Sequence, residues 1–330
     1  MQTMTALVSA FVGAGLASGE EIGSFFAVYG ENAVWAIASA SLTLAVAGSR
    51  LASLVRTAGC DELLTRLFGS YAPLVYAVIG VFYLAVLSVM IAGASVIGSL
   101  LSLAPAVSVA TVLTLLYGLS HFPQAATRAN LWVTPCVLSL VVGASVYSLL
   151  YHDMTILLPS SPIPPCRPLI SGLSYVSYNL LLSLPILAGL PNASRSALYA
   201  GGLSAGIVLA LLLGCLVTVV LCHDAAAPMV MLSVARMQHD VCFYAYVVAL
   251  AMALVTSGLS ALVGVTMHLP PMPREVGTLL TLAVALVISQ IGFSILVDTI
   301  LPILSLPTIL VTLRLLLPVR GDTPRHSKRR

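Results

Sequence analysis

Apolar residues run almost without interruption along this chain, in about ten stretches separated by short polar or proline-bearing joints. They fall at 3–29, 32–55, 73–102, 105–120, 130–150, 168–190, 197–222, 240–267, 276–297 and 299–317. The runs are long and unbroken, whereas strands of a membrane barrel would alternate over about ten residues. Each run therefore predicts a helix. A helix needs about 20 apolar residues to cross a hydrocarbon core of about 30 Å. Most of the stretches meet that length, and 105–120 falls short of it. The expected fold class is an all-α integral membrane protein of about ten transmembrane helices. Residues 224–239 predict a partly interfacial helix leading into the eighth span.

Two of the stretches are interrupted. In the first, Gly13-Ala-Gly-Leu-Ala-Ser-Gly-Glu-Glu21 places three glycines and two adjacent carboxylates in the middle of an apolar run. Charge at membrane depth is costly and faces a bundle interior or a wet cavity. A broken helix persists there only where its freed backbone is buried in protein or lines such a cavity. The Pro/Ser-rich stretch 159–168 divides the chain into five spans and five spans. Five is odd, so the second half starts from the opposite side and the halves have inverted topology, an arrangement common in secondary transporters. The first span of the second half is also interrupted: Ser171-Gly-Leu-Ser-Tyr-Val-Ser-Tyr-Asn179 leads to Pro185 and Gly189. Matching interruptions in corresponding spans point to a binding site. No residue-level repeat accompanies this symmetry. The expected organisation is one transmembrane domain over 1–330, with repeats at about 1–150 and 168–317 and a basic tail at 318–330.

The candidate residues follow from the two breaks. Gly13, Ala14, Gly15, Ser18 and Gly19 supply the first interruption. Glu20 and Glu21 project about 100° apart on a helix, so one is expected to face the cavity and the other to cap the following half-helix, where the dipole favours negative charge. A carboxylate at that depth binds a cation, accepts a proton or pairs with a substrate amine. The plainer alternative makes one glutamate a cap and Gly15/Gly19 a close-packing face. Tyr175, Tyr178 and Asn179 share one face of the sixth span; tyrosine near a membrane end also serves as a belt residue. Thr256, Ser257 and Ser260 form a hydroxyl patch in the eighth span, suited either to a hard coupling ion or to helix packing. Tyr76 and Tyr83 share a face of the third span, where core packing is the simpler role, and Tyr83 is also carried as a solute contact. Gln290, Ser294 and Asp298 make an i, i+4, i+8 stripe in the ninth, with Asp298 a gating candidate.

Composition agrees with the membrane reading. The chain is 59% hydrophobic and 8% charged, with mean hydropathy +1.07, against about 25% charged residues in soluble domains. The first run lacks a basic leader and reads as a span rather than a cleaved signal. The net charge of +3 comes mostly from residues 320–330, a cytoplasmic anchor that implies no nucleic-acid partner. With the N-terminus inside, Arg50, Arg56, Arg66, Arg128, Arg195, Arg274, Arg314 and the tail lie inside, against Arg167 and Arg236 outside. That asymmetry places both termini on the cytoplasmic side of the membrane.

Six cysteines show no metal-ligand spacing; Cys166, Cys222 and Cys242 near one face leave a disulfide open. The histidines are scattered, so no metal site is expected. The only lysine is Lys328. No phosphate loop, HExxH motif or arginine voltage sensor is present, which excludes ATP-driven transport and zinc proteolysis. The chain is not expected to be an enzyme.

Phe11-Val-Gly-Ala-Gly-Leu-Ala-Ser-Gly-Glu-Glu-Ile22, with Phe25, Phe26 and Gly30, resembles the opening signature of the YkvI-type bacterial membrane proteins, and Tyr175-Val-Ser-Tyr-Asn179 looks like their sixth-span motif. That family is similar to the amino acid–polyamine–cation transporter superfamily, with the LeuT-type five-plus-five inverted repeat. The resemblance implies a substrate site between broken helices 1 and 6, with Tyr178 and Asn179 at the sixth-helix positions. It also places Thr256 and Ser257 roughly where sodium-coupled members carry hydroxyl ligands. Glu20 stands where relatives carry Gln. The expected function is alternating-access transport of a small, amino-acid-like solute without a cofactor. Na⁺ or H⁺ is the candidate coupling ion, with Thr256, Ser257 and Glu21 as its contacts. The alternative is a non-transporting sensor akin to spore-germinant receptor subunits.

Overall fold

The computed structural model describes residues 13–58, 60–151, 166–184, 194–223, 229–267 and 272–317, together with Met4, Leu7, Val8, Phe11, Pro164, Leu187 and Leu269. Among these residues every regular element is a helix. The chain enters through two short pieces, α1 (Ala14–Ser18) and α2 (Glu20–Phe25), and a 3₁₀ segment (Ala27–Asn32). Next come α3 (Ala33–Thr43), a π turn (Leu44–Gly48), α4 (Ser49–Ala58), α5 (Cys60–Phe68), α6 (Ala72–Leu100), α7 (Pro105–Ser120) and α8 (Pro123–Tyr151). The second half holds α9 (Cys166–Leu182), α10 (Arg195–Cys222), α11 (Val230–Gln238), α12 (Asp240–Thr266) and α13 (Arg274–Ser289). It ends with α14 (Phe293–Ile295), a second π turn (Leu296–Ile300) and α15 (Leu301–Leu316).

Helices lie over all ten apolar stretches, and among the described residues six are long and apolar enough to cross a membrane: Ala27–Val55, Leu63–Leu100, Trp132–Tyr151, Ser196–Cys222, Asp240–Thr266 and Phe293–Leu316. Pro105–Ser120 is a shorter apolar helix. The chain is a multi-pass membrane protein. Three further stretches are shortened by local backbone geometry. Gly19, at φ +82°, ends α1 and opens α2. Gly292, at φ +105°, separates α13 from α14. α9 closes at Leu182 with Ser183 bonded to Asn179 and Leu180. Pro185 and Gly189, which were expected to interrupt this segment, lie outside the described residues, as do the basic tail and most of 159–168. The expected interfacial helix is α11, over Val230–Gln238. The five described cysteines are unbridged.

α6 and α12 pack along each other at the centre. α9 lies between α3 and α15, and α10 lies on α3. Small residues set these approaches: a Cβ on Gly172 of α9 would overlap the Ala36 carbonyl, and one on Gly206 of α10 would come within 2.6 Å of the Ser41 carbonyl oxygen. Without a hydrophobic drive between helices in lipid, such close backbone packing carries much of the association.

Three arginines counted on the inner side tie helix ends together. Arg50 donates to the Leu317 carbonyl at 3.0 Å, Arg314 to Leu67 at 2.9 Å, and Arg274 to Ser120. Each cation meets carbonyls at a helix C-terminal end, where the dipole favours it.

Candidate functional site

The break between α1 and α2 is short and fully capped. Gly19 takes a left-handed conformation that suits glycine, and its N–H donates to the Leu16 carbonyl at 3.2 Å. A side chain at Gly19 would also press on Met231 of α11, whose Cγ stands 3.0 Å from the Cβ position. Ser18 bridges the turn: its hydroxyl donates to the Gly15 carbonyl at 2.9 Å and accepts from the Glu20 N–H at 3.3 Å. The Ala17 carbonyl, freed by the break, accepts from the Tyr246 hydroxyl of α12 at 2.7 Å. At the end of α9 the Leu181 carbonyl accepts from the Tyr83 hydroxyl at 2.7 Å, and the Leu180 carbonyl from Ser183 at 2.6 Å. Hydroxyls of the protein itself thus occupy the carbonyls that a helix break releases, as buried polar groups require.

The two glutamates diverge. Glu20, 9% exposed, sends Oε2 to the backbone N–H of Met229 at 2.9 Å. Met229 is the residue ahead of α11 and sits at φ +58°, ψ +55°. Glu20 therefore caps a helix more than 200 residues away in sequence, supplying negative charge where exposed amides favour it. Ser294 and the Asp298 carboxylate lie close enough to act on Glu20 as well. Asp298 accepts from Ser24 of α2 at 2.5 Å. The expected Gln290–Ser294–Asp298 stripe is not one helical face, because Gly292 breaks the chain inside it; Gln290 donates to its own helix at Leu286.

Glu21, 7% exposed, folds back against α1. A Cβ on Gly15 would overlap the Glu21 carboxyl group. Gly15 is thus bare to admit a side chain of its own segment, rather than to form a face for a neighbouring helix. Tyr178 of α9 faces the same carboxyl. Tyr175 and Tyr178 are 0% and 1% exposed; the Tyr178 hydroxyl is directed at the Glu21 carboxyl, and the Tyr175 hydroxyl has no hydrogen-bond partner. Their rings meet edge to face with centroids 5.5 Å apart. Phe25 lies 5.7 Å from each, Phe26 5.0 Å from Tyr175, and Phe82 5.5 Å from Tyr178. Ser171 of α9 donates to the Phe25 carbonyl at 2.8 Å, holding α2 against α9 at the edge of this cluster.

The structure thus brings Gly15, Glu21 and Tyr178 together and turns Glu20 and Gly19 toward α11. Ala14 is buried in α1. Gly13 faces α12, where the Ser257 Oγ lies 3.0 Å from its Cβ position. Thr256 and Ser260 bond within α12, Thr256 to the Ala253 carbonyl and Ser260 to the Thr256 carbonyl, each at 3.1 Å. Asn179 donates from Nδ2 to the Tyr175 carbonyl one turn back, at 2.9 Å. Tyr83 packs its ring over Gly264 and spends its hydroxyl on Leu181; it braces the end of α9.

Tyr246, Met229 and Ser171 were not among the candidates. Tyr246 carries a polar tip in an apolar run ten residues before Thr256, a signal that a neighbouring helix needs a donor. Replacing it with phenylalanine leaves the Ala17 carbonyl unpaired. Tyr246→Phe is expected to cost about 1 kcal/mol, read as a lowered thermal midpoint in detergent; an unchanged midpoint would assign the Ala17 carbonyl another donor.

No protein-family model matches the chain, and no curated protein sequence matches it. Among solved structures it is similar to two mutants of the Eremococcus coleocola manganese transporter, each with TM-score 0.60, at 12% and 11% identity. The alignments cover 94% of this chain and 76% and 77% of those chains. The same transporter in complex with an aromatic bis-isothiourea substituted compound matches at TM-score 0.55, 12% identity and the same 94% and 76% coverage. The chain therefore shares the fold of a membrane transporter.

Proposed function

We propose that this protein is a secondary transporter that moves a small, amino-acid-like solute by alternating access between the broken first helix and α9. The observation that carries this reading is a buried carboxylate, Glu21, two residues past a helix break and facing the buried Tyr178 hydroxyl of α9. Such an arrangement is costly unless it is used.

The transmembrane organisation belongs to the same proposal: ten crossings in two inverted repeats, about 1–150 and 168–317, with both termini cytoplasmic in a bacterial plasma membrane. Helix pairings support it, because exchanging the halves maps them onto each other. α6 on α12 is its own counterpart; α3 on α9 matches α10 on α2, α9 on α15 matches α1 on α8, and α6 on α13 matches α12 on α7. The resemblance of the 11–22 and 175–179 motifs to the YkvI type supports the same class. The protein acts without bond chemistry, and Na⁺ or H⁺ is the coupling ion. Ser257, lying against Gly13, is its best-placed contact; Thr256 directs its hydroxyl into its own helix.

The similar structures carry the name of a manganese transporter, which raises a divalent metal as cargo. Glu20 and Glu21 point to different neighbours, and among the described residues no three His, Cys, Asp or Glu side chains group as a metal site. An organic solute fits this aromatic and hydroxyl-bearing site better.

Reconstituted proteoliposomes test the reading. Uptake or exchange of one member of an amino-acid and amine panel, driven by an imposed Na⁺ or H⁺ gradient, is expected. Ligand binding without flux, with a stoichiometric partner, would identify a sensor instead.

A further inference from the structure

The Glu21 cluster also indicates which chemical end of a solute it holds. This inference rests on the transporter reading and narrows its substrate class. We propose that Glu21, Tyr175 and Tyr178 bind a small ammonium group, so that the site is selective for solutes bearing a primary amine.

Three oxygen-bearing groups meet there: the Tyr178 hydroxyl faces the Glu21 carboxyl, and Tyr175 lies near enough to feel its charge. The Glu21 carboxyl supplies acceptors only when ionised, and the Tyr175 and Tyr178 hydroxyl oxygens accept through their lone pairs. Both hydroxyls are at least 99% buried; that of Tyr178 is directed at the Glu21 carboxyl, and that of Tyr175 has no partner. A buried hydroxyl without a hydrogen bond is costly, so Tyr175 beside a buried carboxyl marks a place where a ligand completes the bonding. A primary ammonium carries three N–H donors, one for each of these groups.

Charge selects in the same direction. Among the described residues no basic side chain pairs with Glu21, and an ionised carboxylate at that depth needs a cation. The rings of Phe25, Phe82, Tyr175 and Tyr178 pack on one another at centroid separations of 5.5–5.7 Å, so the two hydroxyls belong to an aromatic cluster, and aromatic faces attract cations. An anionic group is disfavoured at the same point. The first two residues of α2 are both glutamates, so the N-terminus that would otherwise hold a carboxylate already faces negative charge. Size is limited too. The two tyrosines are fully enclosed in this state, so entry of even a compact head requires α2 or α9 to shift. The Ser171–Phe25 and Ser24–Asp298 hydrogen bonds hold that position closed.

The test uses the full-length protein purified in detergent. Thermal midpoints are measured against methylammonium chloride, tetramethylammonium chloride, sodium chloride, potassium chloride and sodium acetate at matched ionic strength. Methylammonium is expected to raise the midpoint progressively, and tetramethylammonium, which has no N–H donor, to leave it unmoved. Glu21→Gln keeps the side-chain volume and is expected to abolish the shift. Tyr178→Phe is expected to weaken apparent affinity roughly tenfold. Ligand-free midpoints show that each variant is folded, and Tyr175→Phe provides a second, independent probe of the hydroxyls. Equal stabilisation by sodium that Glu21→Gln removes, no response to methylammonium, or a methylammonium response retained in Glu21→Gln would each overturn the proposal. The two readings fail separately. Gradient-driven uptake of an amine-free solute, indifferent to Glu21→Gln, would leave transport standing and remove the ammonium site. Methylammonium binding without any flux would do the reverse.

Discussion

Glu20→Ala is expected to destabilise the protein by about 2–3 kcal/mol, because it removes a charged acceptor and leaves the Met229 N–H unpaired and buried. Met229 has no cheap way to compensate. It holds a left-handed conformation that costs a non-glycine residue about 1–2 kcal/mol, and that conformation aims its N–H at the Glu20 carboxylate. Losing the acceptor frees Met229 to relax and loosens the N-terminus of α11. Met231 two residues later packs on Gly19, so the helix break loses its cover at the same time. Glu20→Gln retains a side-chain oxygen and is expected to lose no more than about 1 kcal/mol. The comparison is read from thermal midpoints and from amide exchange in α11. Equal losses in the two variants would mean that charge, and not the hydrogen bond, holds the helix.

Gly15→Ala is expected to abolish solute binding as completely as Glu21→Gln. The added methyl takes the volume in which the Glu21 carboxyl lies, so the carboxyl must leave Tyr178 or α1 must move. Overpacking of this kind costs about 1–3 kcal/mol. The decisive form is a double-mutant cycle with Glu21→Ala, since residues in contact couple where distant ones add. Shortening Glu21 removes the clash, so the double mutant is expected to recover the midpoint lost in Gly15→Ala while binding stays absent. Simple additivity of the two stability losses would show that Gly15 and Glu21 do not share that space.

Much of the fold was legible because lipid imposes a length and a polarity that sequence displays directly. All ten apolar stretches carry helices, and the anomaly at 13–21 is the place where the first helix breaks. The partners of the two glutamates were not legible. Adjacent carboxylates signal only that they diverge. That Glu20 turns to Met229 depends on a contact across 209 positions, and no local pattern encodes it. Gly15 and Gly19 read as a small-residue packing pair, yet one accommodates a side chain of its own segment and the other adopts a left-handed turn. Spacing alone does not separate those roles. The hydroxyls of Thr256 and Asn179's amide were visible as polar groups in apolar runs, but intrahelical bonds use them, and nothing in composition distinguishes an inward-bonded hydroxyl from one offered to a ligand. Tyr246 was passed over for the converse reason: its partner is a carbonyl that exists as an acceptor only once α1 ends.

On the proposed transport reading, the same geometry says what has to move for a solute to cross. On one side of the break, Ser257 of α12 stands against Gly13; on the other, Ser171 of α9 holds the Phe25 carbonyl. Exposure of the Glu21 cluster from either side requires one of these contacts to open, and alternating access requires that they not open together. The direct test introduces Ser257→Cys and Ser171→Cys separately into a background without native cysteines and measures modification rates in oriented proteoliposomes. Addition of the transported solute, with its driving gradient, is expected to change the two rates in opposite directions. Parallel changes at both positions, or no change at either in protein that binds the solute, would contradict the account.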